Sequence, residues 1–327
     1  MEEIMVSICC LAYNHEKYIR KCLEGFVNQK CNFKFEVLIH DDASTDKTAD
    51  IIREYEEKFP DIIKPIYQTE NQYSKNIDIS RTYQFTRVKG KYVAFCEGDD
   101  YWIDTYKLAK QVEILEKNKC CVCCIGKAEI VTESGEKTGM KLPSYKLKSG
   151  IIMSEEIIRT ICLRRYPFHT STYMFKSSIL KECIINPPKF FSNEGCTDVV
   201  YLLLYATKGD FFYLGDSLSH YRSASIGSWS LRMLQRSKDE IRKGDESFYK
   251  RMYFFDEYTG GKYHTLCLNA VEKRHFERAV SEHNNKVLVK KENRKFFKYY
   301  SLKLKIKTYL EILVPGLIHC YNKIKNN

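Results

Sequence analysis

The residues best suited to carry chemistry are three acidic side chains that follow a short apolar run. Residues 91–102 read KYVAFCEGDDYW, so Glu97, Asp99 and Asp100 come directly after a segment of β-forming residues. Such a run, bounded by glycines, predicts a buried strand that ends in a loop. Carboxylates this close together repel one another unless a cation compensates them, and their oxygens suit Mg²⁺ or Mn²⁺, which also bind diphosphates. A solvated acidic turn after a core strand is the competing interpretation at this point.

The segments around this loop predict strands and helices in alternation. Strands are expected over residues 5–12, 35–40, 62–68 and 91–96. Helices are expected over residues 16–29, 48–58, 77–88 and 104–119. The alternation predicts an α/β fold in which helices flank a mostly parallel sheet. Tyr13-Asn14, Asp41-Asp42 and the acidic loop each follow a strand, and parallel strands end at one edge of a sheet, so we expect a nucleotide-diphosphate site there.

The next hundred residues hold further candidates. We expect a strand pair over 121–133, a helix over 154–164 with Ser154 as its N-cap, and a strand over 168–175. His169 and Thr170, in the first half of that strand, have side chains that would suit a bound sugar, although an ordinary edge strand is the alternative. Asp198 stands at the start of a strongly apolar helix that ends at Gly209. Taken alone, an acid at that position is explained by helix capping.

Four segments together resemble the family 2 glycosyltransferases of the bacterial surface-polysaccharide type, which have the GT-A fold. They read VSICCLAYN, EVLIHDDASTDKT, an Arg nine positions before the Gly of the next strand, and FCEGDDYW. The resemblance covers about the first 230 residues. It implies a nucleotide-sugar site formed by Tyr13, Asn14, Asp41, Asp42, Arg81, Glu97, Gly98, Asp99 and Arg222.

Within that site, the resemblance implies that Asp99 binds the metal, Mn²⁺ or Mg²⁺. Glu97 occupies the first position of the family's D-x-D motif, where the family has Asp, so its role stays open. Arg81 is the only part of the family's ARN segment that is kept, and a surface ion pair is its alternative role. His220 and Arg222 are expected to reach the diphosphate.

The resemblance also implies a catalytic carboxylate before the apolar helix. Asp198 is the candidate base and Glu194 the second choice. A single base acting on an acceptor hydroxyl gives inversion of configuration, and such a base is worth on the order of 10²–10⁴-fold in rate. His169, Thr170 and Trp229 are the candidate acceptor-binding residues, with packing as the alternative for Trp229. The predicted function is therefore an inverting, metal-dependent glycosyltransferase that uses a nucleotide-sugar, by default a UDP-sugar, and a glycan or lipid-linked acceptor. A catalytically inactive sugar-binding module is the alternative.

Charge divides the chain unevenly. The 327 residues have a formal net charge of +11, and the excess of Lys and Arg lies largely after Leu231. We predict a glycosyltransferase domain over 1–230 and a basic, aromatic helical region over 231–327, with helices over 237–258 and 267–286. A solvated appendage, a nucleic-acid-binding arm and a membrane-surface anchor are the three interpretations of this region. The anchor fits best, because apolar and aromatic residues there are flanked by lysines.

Composition also predicts a compartment. The N-terminus resembles no signal peptide, and no apolar run reaches the roughly 18 residues of a spanning helix. The 14 cysteines, including those at 120–124, favour buried free thiols over a metal cluster. We therefore expect a cytoplasmic protein, with peripheral attachment to the inner face of the cell membrane as the alternative.

Overall fold

A computed structural model describes residues 3–191, 197–223, 232, 235–282, 284–298 and 301–314. The chain divides into two compact units. The N-terminal unit comprises residues 1–191 and 196–240, and the C-terminal unit comprises residues 192–195 and 241–327. The predicted domain boundary after residue 230 stays a prediction.

The N-terminal unit is an α/β structure built on one sheet. Its strands are β1 Ile4–Ala12, β2 Lys34–Asp41, β3 Ile63–Tyr67, β4 Tyr92–Phe95, β5 Tyr101–Trp102, β6 Cys121–Val131, β7 Lys137–Leu142, β8 Gly150–Ile152, β9 Met174–Lys176 and β10 Asp210–Arg222. Its helices are α1 Ile19–Val27, α2 Thr48–Lys58, α3 Lys107–Lys117, α4 Ser154–Cys162, α5 Ser177–Ile185 and α6 Thr197–Lys208. The predicted fold class is confirmed.

The strands are ordered β3-β2-β1-β4-β9-β6-β10-β5, with β7 beside β6 and β8 beside β10. The first four are parallel neighbours, as are β6 and β10. Strand β9 is antiparallel to both β4 and β6, so the sheet as a whole is mixed. Because β2, β1 and β4 are adjacent and parallel, the segments that follow Ala12, Asp41 and Phe95 emerge at one edge.

The core explains why these strands read as apolar runs. Both faces of β1 are covered, and Val6, Ile8 and Cys10 are fully buried with Leu23 and Phe26 of α1. The 12 described cysteines are free thiols, and Cys121, Cys123 and Cys124 are buried in β6. In the parts of the chain that the structure describes, no helix is both long and apolar enough to cross a membrane.

Several predicted elements differ from the structure. The helix expected over 77–88 is a π turn, Ser80–Gln84, followed by a 3₁₀ turn, Phe85–Arg87. This wider turn accompanies two hydrogen bonds from the buried Gln84 amide, to the carbonyl oxygens of Cys10 (2.7 Å) and Leu38 (3.1 Å). The expected strand pair at 121–133 is one long strand, β6.

The strand expected over 168–175 was also wrong in its first half. Thr170–Thr172 form a 3₁₀ turn, and only Met174–Lys176 pair in the sheet. The backbone N–H of Thr172 and its hydroxyl both donate to the carbonyl oxygen of His169, at 3.0 and 2.8 Å. Local bonds of this kind compete with strand pairing. Ser154 is not an N-cap: Met153 holds that position, and the Ser154 N–H donates to Asp210 Oδ1 at 2.8 Å.

The C-terminal unit is helical over its described residues, which confirms the predicted appendage. Its helices are α7 Lys238–Tyr258, α8 His264–Ser281, α9 Asn285–Leu288, α10 Arg294–Phe297 and α11 Leu302–Leu313. Helix α7 begins three residues before the boundary between the units. A small cluster of Phe276, Ala279, Leu288 and Phe297 forms an apolar core.

Candidate active site

The acidic loop lies at the edge where β1, β2 and β4 end. The Gly98 N–H donates to the carbonyl oxygen of Leu11 at 2.8 Å, which fastens the loop to the end of β1. A Cβ atom at Gly98 would lie 2.8 Å from His15 Nδ1 and 3.2 Å from that same carbonyl oxygen. A larger residue would have to displace the His15 ring and the end of β1, which gives a physical reason for the Gly between Glu97 and Asp99.

Three carboxylates act on one another at this edge. Glu97 is an exposed residue, although neighbouring protein atoms reduce the hydration of its carboxyl group. That loss of hydration, followed by the charges of Asp99 and Asp198, raises the pKa of Glu97, and Arg232 acts in the opposite direction. Asp198 belongs to the first turn of α6, where its Oδ1 accepts the N–H of Val199 at 2.9 Å. Folding has thus brought Asp198 into the electrostatic neighbourhood of a loop about a hundred residues earlier.

Asp100 is buried and has a different task from its neighbours. Its Oδ1 accepts the backbone N–H of Arg222 at 2.8 Å, and its Oδ2 lies 3.5 Å from His169 Nδ1. Burial and the charge of Asp99 raise the pKa of Asp100 well above its usual range. Burial lowers the pKa of His169 to about 3, so that imidazole is neutral at physiological pH. The His169 ring stacks on Tyr221, with centroids 3.9 Å apart.

Arg222 fastens the acidic loop to the turn after β6. Its side chain is buried, and Nε donates to the carbonyl oxygen of Asp99 at 3.0 Å. Nη1 donates to the carbonyl oxygens of Thr132 (3.1 Å) and Glu133. The guanidinium carbon also lies 4.4 Å from the centroid of the Tyr18 ring. These contacts are all to the protein's own backbone and to an aromatic ring.

His220 lies beside Arg222 in β10 and is likewise engaged. Its Nδ1 is 2.7 Å from the Tyr101 hydroxyl, and its Nε2 is 3.4 Å from Glu129 Oε2. Burial lowers the pKa of His220, with Glu129 acting in the opposite direction. The contacts of His220 therefore connect β10 to β5 and β6.

The predicted base- and ribose-binding residues lie at the same edge. Tyr13 is 45% exposed. Asn14 has a left-handed backbone (φ 54°), and its Oδ1 accepts the Thr45 N–H at 2.8 Å. Asp41 accepts the Ser44 hydroxyl at 2.5 Å, and burial raises the pKa of Asp41.

Asp42 is occupied differently from Asp41. One of its oxygens accepts the Gln72 N–H at 2.7 Å and the other accepts the Tyr73 N–H at 3.0 Å. His40 Nε2 also lies 3.5 Å from Asp42 Oδ1. The carboxylate therefore holds the loop that follows β3 against the end of β2.

The remaining predicted residues are less closely associated with the loop. Arg81 is partly exposed and pairs with Asp78, three residues earlier, with 3.8 Å between Nε and Oδ2. Thr170 belongs to the 3₁₀ turn beside His169 and is half-buried. Trp229 and Glu194 lie outside the described residues.

Sequence reasoning missed His15. Its Nδ1 is buried and has no hydrogen-bond partner among the described residues. Asp99, Asp46 and Asp41 all act on its ring, although burial is the largest effect and lowers the pKa of His15. The sequence did contain an indication of this, because His15 directly follows Asn14, a predicted nucleotide-sugar-binding residue in the loop after β1.

The donor atoms at this edge fit a hard divalent cation only together with a substrate. Among the described residues, no group of three or more His, Cys, Asp or Glu side chains is arranged to hold a metal ion. Mg²⁺ is usually bound by one or two carboxylates, with phosphates and water completing its shell. Loss of hydration is the main cause of the raised pKa of Glu97, and the charges of Asp99 and Asp198 add to it. A cation beside Asp99 would offset this second contribution.

Comparison with known proteins agrees with this geometry. The chain belongs to glycosyl transferase family 2, whose sequence profile matches residues 7–182. The uncharacterized protein Rv1520 of Mycobacterium tuberculosis is 40% identical over 240 residues, 71% of this chain and 63% of that protein. The chain thus spans less than two thirds of that curated relative.

Two further comparisons concern proteins with more informative names. The UDP-Glc:alpha-D-GlcNAc-diphosphoundecaprenol beta-1,3-glucosyltransferase WfaP of Escherichia coli is 35% identical over 115 residues, 35% of this chain and 43% of that protein. S. aureus TarS 1-349, solved in complex with UDP-GlcNAc, superposes with a TM-score of 0.62 at 20% identity, covering 90% of this chain and 78% of TarS. This second likeness establishes the GT-A-like fold.

Proposed function

We propose that this protein is an inverting, metal-dependent glycosyltransferase that transfers a sugar from a UDP-sugar to a glycan or lipid-linked acceptor during surface polysaccharide synthesis. The observation that carries the proposal is that the acidic loop with Glu97 and Asp99 is fastened at the edge where β1, β2 and β4 end, near enough to Asp198 for their charges to interact. In α/β sheets, this carboxyl edge is where ligands bind. Family membership supplies the reaction class.

The donor would occupy the space bordered by Tyr13, Asn14, Asp41 and the acidic loop. Asp42 contributes by holding the loop at Gln72 and Tyr73, since both its oxygens are already hydrogen-bonded. Arg81 is partly exposed and available to an anionic donor, at the cost of its long ion pair with Asp78. The names of WfaP and of the TarS complex both contain a UDP-sugar, which supports UDP as the nucleotide.

The metal site would be formed by Asp99, together with the donor's phosphate oxygens. Mn²⁺ or Mg²⁺, when bound there, would neutralise charge on the departing diphosphate. Glu97 lies two residues before Asp99 in the same loop and would border the donor's sugar and diphosphate there.

Asp198 would remove the proton from the attacking hydroxyl of the acceptor. Its place in the first turn of α6 puts the carboxylate at the positive end of the helix, close to the acidic loop that would hold the donor. With one base and a single in-line displacement at the anomeric carbon, the product has inverted configuration. The neutral imidazole of His169, with Thr170 beside it and Trp229 farther along the chain, would border the acceptor.

The acceptor is proposed to be carried on a lipid, and the protein to work in the cytoplasm at the inner face of the membrane. The name of WfaP contains a diphosphoundecaprenol-linked sugar acceptor, which supports a lipid carrier.

The test is a thermal-shift screen of UDP- and GDP-sugars with and without Mn²⁺ on the full chain and on Asp99→Asn. A ligand at about 100 times its dissociation constant adds about 2.7 kcal/mol to stability. We expect one UDP-sugar to raise the melting temperature only with Mn²⁺, and Asp99→Asn to lose that shift. Asp50→Asn, an exposed carboxylate change in α2, is the matched control and should keep it.

Donor turnover separates an enzyme from an inactive binding module. We expect the protein to release UDP from the stabilising donor, slowly with water and faster with a suitable acceptor. Stabilisation by a donor without any release of UDP, in the presence of a broad acceptor panel, would support the binding module. If no nucleotide-sugar shifts the melting temperature at any concentration, the proposed function is wrong.

A further inference from the structure

The last described helix, α11, presents its apolar side to solvent. Five apolar residues of α11 are 40–76% exposed: Leu302, Ile306, Tyr309, Leu310 and Leu313. At about 100° per residue, they fall within an arc of about 100° on one side of the helix. We call this set the α11 stripe. A helix of a globular protein normally turns such an arc toward the core.

The opposite side of α11 is the side that packs. Thr308 is the one residue of the helix that is buried, and Leu304, Glu311 and Ile312 beside it are half-buried. Asn285 Nδ2 donates to Glu311 Oε2, and Lys305 Nζ donates to the carbonyl oxygen of Lys298 at 2.8 Å. The helix is thus held from the side away from the α11 stripe.

Lysines border the α11 stripe. By the same helical spacing, Lys303 lies at one edge of the arc, with Lys307 just beyond it, and Lys305 lies at the other edge. Residues 241–327 contain 19 Lys and Arg against 9 Asp and Glu, so this part of the chain carries nearly all of the net charge. An apolar arc between cations is complementary to one common surface, the headgroup zone of an anionic bilayer.

We propose that the α11 stripe docks on an anionic lipid surface, with Leu302, Ile306, Tyr309 and Leu313 entering the headgroup boundary and Lys303 and Lys307 meeting lipid phosphates. The proposal deepens the proposed function, since a lipid-linked acceptor would be met at such a surface. Only the biological role of lipid binding rests on the proposed function, because the binding itself requires neither a sugar donor nor catalysis.

The alternative occupant is a second copy of this chain. Charge favours the bilayer, because in a dimer Lys303, Lys305 and Lys307 of one copy would face the same lysines of the other across a small apolar area. Like charges at such a contact repel, whereas a leaflet of anionic lipid attracts each lysine.

The experiment is co-flotation of the full chain with vesicles of phosphatidylglycerol and phosphatidylcholine in equal amounts, without nucleotide-sugar, against vesicles of phosphatidylcholine alone. We expect flotation with the anionic vesicles only, weakened by high salt. Ile306→Glu/Leu313→Glu should lower the partition coefficient at least about tenfold, since two apolar anchors are lost and charge is added. Lys303→Gln/Lys307→Gln should lower it by about fivefold per lysine.

Leu268→Glu is the matched control, because Leu268 is an exposed leucine of α8 that lies outside the α11 stripe. It should float as the unmodified chain does, and far-UV circular dichroism should give all variants the same helix content. The proposal is overturned if the unmodified chain stays with the protein-only fractions. It is also overturned if the double glutamate variant floats normally, or if that variant only converts a dimer into a monomer in light scattering.

The outcome is separable from that of the proposed function. Release of UDP during sugar transfer to a soluble acceptor is measured without vesicles, and the double glutamate variant should retain it. Loss of flotation with intact turnover concerns only the α11 stripe. Intact flotation without turnover concerns only the glycosyltransferase proposal.

Discussion

The two units differ most in how they use charge. Residues 1–240 contain 34 Lys and Arg against 33 Asp and Glu, whereas residues 241–327 contain 19 against 9. In the N-terminal unit, several charged groups near the sheet edge are buried and held by hydrogen bonds, among them Arg222, Asp42 and Asp100. In the C-terminal unit, Asp245 is buried between Arg274 and Arg278, and most of the surplus cations lie on the surface.

This difference separates two uses of an ionic side chain. A buried charge is expensive to desolvate, so it persists where its hydrogen bonds fix a geometry that the fold requires. A surplus of exposed like charges fixes nothing locally, but it creates a field that attracts an oppositely charged surface. Buried, hydrogen-bonded charges suit a binding or catalytic edge, and a surplus of exposed like charges suits a docking surface. Variants in each unit can test this division.

The largest effect is expected at Asp198. Replacing the proposed base by Asn should lower the rate of sugar transfer on the order of 10²–10⁴-fold, because no group would take the acceptor proton. Donor binding should be unchanged, since the contacts assigned to the donor lie in other residues. Initial rates of UDP release, together with the donor-induced thermal shift, measure both quantities. A variant that loses the shift as well would place Asp198 in donor binding instead.

The next effect is expected at Arg222. Arg222→Ala should lower the free energy of unfolding by about 2–4 kcal/mol, because three backbone carbonyl oxygens lose a charged donor. The acidic loop would shift, and transfer should fall by about 10–100-fold. Arg222→Lys should behave similarly, since an ammonium group cannot reproduce the planar fork.

Guanidinium ion distinguishes positioning from contact with the donor's phosphates. We expect millimolar guanidinium to restore part of the lost kcat of Arg222→Ala with little change in donor KM, and ammonium ion to restore none. Direct phosphate binding by Arg222 would instead appear as a large rise in donor KM, with stability close to that of the unmodified chain.

Two matched core changes test whether the units respond separately. Leu23 in the large core and Leu288 in the small core are both buried, so replacing either by Ala should cost about 2–5 kcal/mol locally. Hydrogen exchange read by mass spectrometry should speed up for Leu23→Ala in peptides of residues 3–191. For Leu288→Ala it should speed up in peptides of residues 241–298, with the donor-induced shift retained. Faster exchange throughout both units in either variant would contradict the division.

The last prediction concerns the pH dependence of stability. Lys107 is buried over the Trp102 ring, and burial lowers its pKa from 10.5 to about 7. Between these values the unfolded chain binds more protons, so stability should rise from pH 7 toward pH 10.5, by at most about 1.4 kcal/mol per pKa unit. Below pH 7 both states are protonated and the contribution is constant.

Lys107→Met isolates that contribution. The difference in melting temperature between the variant and the unmodified chain should favour the variant most below pH 7 and decline as the pH is raised toward 10. A difference that is constant with pH would mean that Lys107 keeps its proton in the folded protein, with the Gln111 amide oxygen and the Trp102 ring compensating its charge.

Much of the N-terminal unit was predictable because its signals are local. Apolar runs that end in polar clusters predicted the strands β1, β2 and β4, and the acid before an apolar run predicted the start of α6. The predictions failed where side chains bond to distant or local backbone, as with Gln84 in the π turn and with the hydroxyl of Thr172. Residue type alone does not reveal those partners.

The sequence by itself determined the fold class, the order of most elements, and the acidic residues that follow the strands, because hydrophobic periodicity and glycine placement are properties of short segments. Only the tertiary structure decided that Asp198 acts on Glu97, that Arg222 is enclosed by carbonyl oxygens and Tyr18, and that α11 turns its apolar arc outward. Each of these depends on which segments meet in space. Which segments meet is determined by the packing of the whole core, and a pattern within a short segment contains no information about it.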